Sequence, residues 1–172
     1  DCLQVLATIK EENSKALSQA PAYALAKSAL GKVPLIYATA GIGMVAALRW
    51  KSQFNENSKI LAFAHEYPEL SHNEIVGWQD KADFLPSMEI FHLIDNQADN
   101  RILKRMAICK EMLLGYGVGV NNIYSRGKYP LSRAMSLIML GDYTSCFLAE
   151  LYGIDPFPVD IIEALKKKLA NP

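Results

Sequence analysis

The chain has 172 residues and no formal net charge; 51% of its residues are apolar and 21% are charged. That composition suits one globular domain around one core, with a small neutral partner or ligand. It excludes the basic patch of a nucleic-acid binder and the strongly basic amphipathic segment of a membrane-surface helix, so neither nucleic acid nor membrane is an expected partner.

No apolar run reaches the roughly 18 residues that span a bilayer. No basic region followed by an apolar one marks a signal peptide. The chain starts at Asp1 rather than Met, which suggests a piece of a longer protein. Cys2, Cys109 and Cys146 make no CxxC or metal-like spacing, and an odd number of scattered thiols fits a reducing cytoplasm.

Apolar residues at helical spacing run from Leu3 to about Gln19. Pro21 opens a short helix through Leu30, since proline suits the first helical turn, and Gly31 ends it. Val33–Ala38 is a nearly continuous apolar run bounded by turn residues, the pattern of a buried strand. It leads through Thr39-Ala40-Gly41-Ile42-Gly43 into a helix from about Met44 to Asn55. Next come a strand at Lys59–Ala64, a loop with a short helix near His72–Trp78, and a strand at Met88–Ile94. A helix over Asp99–Leu114, a weaker strand over Val118–Tyr124, a long helix from Pro130 to Gly153 and a last helix from Pro158 to Leu169 complete the chain. Strands alternating with helices over short connections imply an α/β fold with a doubly wound, flavodoxin-like parallel sheet of four or five strands flanked by helices. Residues 1–30 read as N-terminal linking helices and residues 31–172 as the domain proper.

Four segments carry candidate chemistry. Thr39, Gly41 and Gly43 sit in a strand-to-helix turn, where backbone N–H groups and a hydroxyl can hold an anion; the glycines equally suit close helix packing. Such turns lie at the carboxyl ends of strands, where doubly wound sheets bind ligands. Asn55-Glu56-Asn57-Ser58-Lys59 falls where a helix stops, a solvated end in which a carboxylate meets an unfavourable dipole. Ser71 and Glu74 have the spacing of a capping box, and His72 between them is not needed for capping. On the last helix Lys166 falls inside the apolar arc of Val159, Ile161, Ile162, Leu165 and Leu169, either snorkelling to water or aimed into a polar cleft. No spacing of His, Cys, Asp or Glu suggests a metal site.

Together these segments resemble a known family. Arg49-Trp50-Lys51-Ser52-Gln53-Phe54-Asn55-Glu56-Asn57-Ser58-Lys59, and Pro68-Glu69-Leu70-Ser71-His72-Asn73-Glu74-Ile75-Val76-Gly77-Trp78 with Ser71 the only change, look like two signatures of bifunctional phosphoglucose/phosphomannose isomerases. Gly141-Asp142-Tyr143-Thr144-Ser145, Gly153-Ile154-Asp155-Pro156, Pro158-Val159 and Leu165-Lys166 are similar to the family's ending. The likeness covers residues 30 to 170 and corresponds to the C-terminal sugar-isomerase (SIS) domain.

The resemblance implies cofactor-free interconversion of glucose 6-phosphate or mannose 6-phosphate with fructose 6-phosphate, by ring opening and proton transfer through a cis-enediolate. It assigns Glu56 as the base acting between C1 and C2, and Lys166 as a group facing the substrate. His72 would assist ring opening across a homodimer interface. Val159 stands where some members carry a threonine linked to mannose 6-phosphate use. The family's other SIS domain, with its serine-rich phosphate loop and an arginine, has no counterpart in this sequence. The chain alone is therefore expected to bind hexose 6-phosphate weakly and turn it over negligibly, because lost orientation raises the barrier. Two other readings stay open: a non-catalytic sugar-phosphate-binding regulatory SIS module, and a scaffold for dimerisation.

Overall fold

A computed structural model describes residues 1–79 and 83–170. The four strands are β1 (Val33–Thr39), β2 (Phe63–Tyr67), β3 (Met88–Ile94) and β4 (Gly119–Tyr124), all parallel in the order β2-β1-β3-β4. The helices are α1 (Cys2–Asn13), α2 (Pro21–Ala29), α3 (Ile42–Glu56), α4 (Asn100–Gly115), α5 (Pro130–Tyr152) and α6 (Asp160–Ala170). Three short 3₁₀ turns, Glu69–Ser71, Glu74–Trp78 and Leu85–Ser87, join β2 to β3. This is the doubly wound α/β order expected from the sequence, with four strands.

Alternation along the strands makes two cores. Ile36 and Ala38 of β1 face a core shared with α2, α3 and α5, while Leu35 and Tyr37 face one closed by α4 and the 3₁₀ turns. Ala26 and Ala29 of α2 are fully buried in the first core with Phe91 and Leu148. α2 thus takes part in the packing around the sheet. Pro130 stands in the first turn of α5, and Gly153 closes that helix at φ +66°, a left-handed cap. Where α5 crosses α3, Gly141 meets the Trp50 indole so closely that a Cβ has no room, and the indole N–H donates to the Leu137 carbonyl at 2.7 Å.

Two local expectations are corrected. The strand expected at Lys59–Ala64 starts four residues later, at Phe63, where pairing with Leu35 begins. Residues 57–62 are committed elsewhere: Ser58 donates to the Ser145 carbonyl at 2.7 Å, and the Ala62 N–H donates to the Asn55 side chain at 3.0 Å. The capping box of Ser71 and Glu74 does not form either. Asn73 caps the turn by accepting from the Glu74 N–H, and Ser71 donates to the Pro68 carbonyl. The Glu74 carboxylate instead accepts from the Tyr37 hydroxyl and lies 3.2 Å from Nδ1 of His65.

His92 of β3 is fully buried, stacked on Tyr37 and 3.3 Å from the Tyr67 hydroxyl. Burial, and then the positive charge of Lys110, bring its pKa from 6.5 down to about 4. The unfolded chain binds a proton below pH 6.5 that the folded chain refuses until about 4, so this contribution to stability is complete above 6.5 and is lost as pH falls through that window. By about pH 4.5 the loss is on the order of 2 kcal/mol. Urea unfolding of wild type and His92→Gln at neutral pH and at about pH 4.5 checks this: the wild type is expected to lose more stability, whereas equal losses would contradict it.

Candidate active site

Because β1 and β2 are parallel, α3 must run back from the carboxyl end of β1 to the amino end of β2. Glu56, its last residue, therefore lies at the amino edge of the sheet. The segment that follows is held residue by residue. Asn55 accepts from Ala62 N–H, Asn57 donates to Gln53 at 2.7 Å and to the Ser145 hydroxyl at 2.9 Å, and Ser58 is buried on Ser145. Lys59 adopts φ +56°, an uncommon conformation for a side chain with a Cβ. The turn aims its ammonium at three backbone carbonyls: Glu56 at 2.5 Å, Pro158 at 2.6 Å and Pro156 at 3.2 Å. A cation at the carboxyl end of α3 also meets the favourable pole of the helix dipole.

Glu56 is the exception. Among the described residues its carboxylate has no hydrogen-bond or ion-pair partner, and it is exposed. It lines a cavity of about 540 Å³ together with Asn55, Lys59, Pro158, Val159 and Ile162. The far wall runs through Ile154, Asp155 and Pro158 to Ile162, on the segment whose Pro156 and Pro158 carbonyls accept from Lys59. Cys146 lies beside this segment, 3.8 Å from the Asn57 amide, and burial pushes its thiol up, so it is no thiolate nucleophile at neutral pH. No group of three or more His, Cys, Asp or Glu that could hold a metal occurs among the described residues.

Of the residues singled out from sequence, the structure brings Glu56 and Val159 together in this cavity. Thr39, Gly41 and Gly43 stand at the other end of α3, about 20 Å away along the helix axis. Their features have packing explanations. The buried Thr39 hydroxyl accepts from Asp95 N–H at 3.1 Å, and a Cβ on Gly43 would collide with Thr39 Oγ1 and crowd the Leu93 carbonyl. The carboxyl-end crevice is filled by the protein itself: Arg133 and Asp95 form a buried ion pair of 2.7 Å, joined by Ser125.

His72 is exposed beyond the carboxyl end of β2, so it too lies at the edge opposite Glu56 within this chain. Lys166 does not line the cavity. Its side chain is 65% exposed and pairs with Glu163 at 2.9 Å. The apolar arc of α6 that contains it is uncovered, with Ile161 83% and Leu169 73% exposed.

Comparison with known proteins places the fold in a family. A family model described as the bacterial phospho-glucose isomerase C-terminal SIS domain matches residues 18–169. The chain belongs to that family. A bifunctional phosphoglucose/phosphomannose isomerase of Caldicellulosiruptor bescii is 47% identical over 140 residues, covering 81% of this chain and 41% of the relative. One from Aquifex aeolicus is 37% identical over 160 residues, 92% of this chain and 49% of the relative. This SIS domain thus spans less than half the length of those two relatives. Its fold matches the crystal structure of a glucose-6-phosphate isomerase like protein from Thermus thermophilus, with a TM-score of 0.75 at 21% identity, over 90% of this chain and 52% of that one.

Sequence reasoning missed Lys59 as the organiser of the site. The signal was there, a lysine two residues after the cap of α3, but nothing local connects it with the two prolines more than ninety positions on. Replacing Lys59 with Ala is expected to cost about 1–2 kcal/mol and to speed amide exchange from Ile154 to Glu163. Unchanged exchange there, measured by mass spectrometry, would mean that the clamp does not hold the wall.

Proposed function

We propose that this SIS domain supplies the base of a sugar-phosphate isomerase that interconverts glucose 6-phosphate or mannose 6-phosphate with fructose 6-phosphate. One observation carries the reading. In the segment Asn55–Lys59 four side chains are consumed in building the turn, and the fifth, a carboxylate, is left unpaired on a cavity of sugar-phosphate size.

Aldose–ketose isomerisation needs one group that takes the proton from C2 of the aldose, or C1 of the ketose, and returns it to the neighbouring carbon. A carboxylate held within hydrogen-bond reach of both carbons does this through a cis-enediolate. Glu56 suits that role, because α3 fixes its backbone and no internal partner competes for its oxygens. Ring opening precedes it and needs an acid–base group on the ring oxygen. His72 would supply this from a second copy in a homodimer, since its own Glu56 lies across the sheet. A cation near the substrate oxygens would steady the enediolate charge. Lys166 lies on α6 one turn beyond Ile162, which lines the cavity, and would reach the rim once it leaves Glu163. Val159 would contact the sugar near the carbons that distinguish the epimers.

The phosphate loop and arginine expected of the relatives' other SIS domain would hold and orient the substrate, so this chain alone would turn it over negligibly. A coupled assay of the complete protein with fructose 6-phosphate and mannose 6-phosphate tests the reading. Glu56→Gln is expected to lower kcat by about 10²–10⁴-fold with folding intact. Unchanged turnover would move the base elsewhere and leave a regulatory or scaffolding module.

A further inference from the structure

Several of this chain's cations have an acid close by: Lys32 pairs with Glu89, Arg49 with Asp142, Arg126 with Glu12 and Arg133 with Asp95. Among the described residues other cations, Lys10, Lys27 and Lys51 among them, have no such pair, and on α4 three of this kind fall together. Arg101, Lys104 and Arg105 project from one face of its first two turns, and among the described residues none has a carboxylate within ion-pair distance. Like charges at this spacing repel one another. They also sit at the end of the helix where its dipole disfavours cations. The Asp99 carboxylate at the cap accepts from Arg101 N–H at 2.7 Å and offsets only part of that. The cluster therefore works against the stability of the helix that carries it.

These side chains rim a cleft of about 460 Å³ between α4 and the turn segment after β2. Ser71 completes the rim, its hydroxyl accepting from Arg105 at 3.1 Å. The walls are apolar, formed by Ile75, Ile108 and Met112, the last two about half exposed. Three cations with no carboxylate partner among the described residues, a hydroxyl and an apolar wall in a concavity of this size match one class of ligand: a small molecule with a phosphate group and an apolar body. Guanidinium forks bind phosphate oxygens in pairs.

We propose that the cleft between α4 and the Ser71–Ile75 turn is a second anion site, separate from the Glu56 cavity, that binds a small phosphate ester. Its lining residues differ from those of the Glu56 cavity, although Ser71 adjoins His72, the residue proposed above to serve the partner's cavity.

Amide-resolved NMR of the 172-residue chain tests it, titrating inorganic phosphate and phenyl phosphate at constant ionic strength, with chloride as control. Saturable shifts are expected at Ser71, Ile75 and Arg101–Arg105, with phenyl phosphate about tenfold tighter than inorganic phosphate. Arg101→Gln with Lys104→Gln, both exposed and unpaired, is expected to weaken binding about tenfold or more without altering the fold. Shifts without saturation, shifts confined to Asn55–Lys59, cleft shifts that follow protein concentration instead of phosphate, or unchanged affinity in the double variant would each overturn it.

Discussion

The ammonium of Lys59 gathers three carbonyls that the chain delivers from nearly a hundred residues apart. The shape of the cavity at the amino edge of the sheet depends on this meeting. It fixes the exit of α3, sets a left-handed turn before β2, and ties to that turn the segment that walls the cavity opposite Glu56. The bonds of Asn57 and Ser58 to Ser145 brace the same turn from α5. Each is an ordinary hydrogen bond, worth about 1 kcal/mol net. Their joint effect is geometric: they leave a carboxylate with a fixed origin and no internal partner.

That arrangement inverts the usual expectation for a doubly wound sheet. Ligands of such folds commonly bind beyond the carboxyl ends of the strands, at the switch in strand order. Here that crevice lies between β1 and β3 and is occupied by the protein's own Asp95–Arg133 pair and the Thr39 hydroxyl. The free carboxylate is at the opposite edge. His72 remains at the carboxyl-end side, so one chain holds the two proposed catalytic groups too far apart to share a substrate. The proposed homodimer would reconcile them, and the exposed apolar arc of α6 would let Lys166 leave Glu163 in such an assembly.

The fold was largely legible in the sequence, because hydrophobic runs and helix punctuation are local signals. Val33–Ala38 read as a buried strand and Met88–Ile94 as a strand, and both are found; Pro130 and Gly153 bracket α5. The start of β2 was misread because Ile60-Leu61-Ala62 has the apolar look of a strand. The Ala62 N–H is instead bonded to the Asn55 side chain and the preceding Ser58 to the distant Ser145 carbonyl, which local patterning cannot register. The site was legible only in part. Glu56 stood out as a carboxylate in an unfavourable place on a helix, and the structure leaves it unpaired. Thr39, Gly41 and Gly43 drew attention for a glycine-rich turn, yet packing against Leu93 and Asp95 accounts for Thr39 and Gly43. Lys166 was flagged by helical periodicity, which locates a face but not its neighbour.

The most direct test of Glu56 as the base is a crystal structure of the complete protein with fructose 6-phosphate bound. Proton transfer by Glu56 requires one of its carboxylate oxygens within about 3 Å of C1 or C2 of the open-chain sugar, or one water away. It also requires His72 of a second copy near the ring oxygen. A sugar seated at the Thr39–Gly43 turn, or with Glu56 turned away to solvent, would contradict the assignment of this cavity as the place of proton transfer.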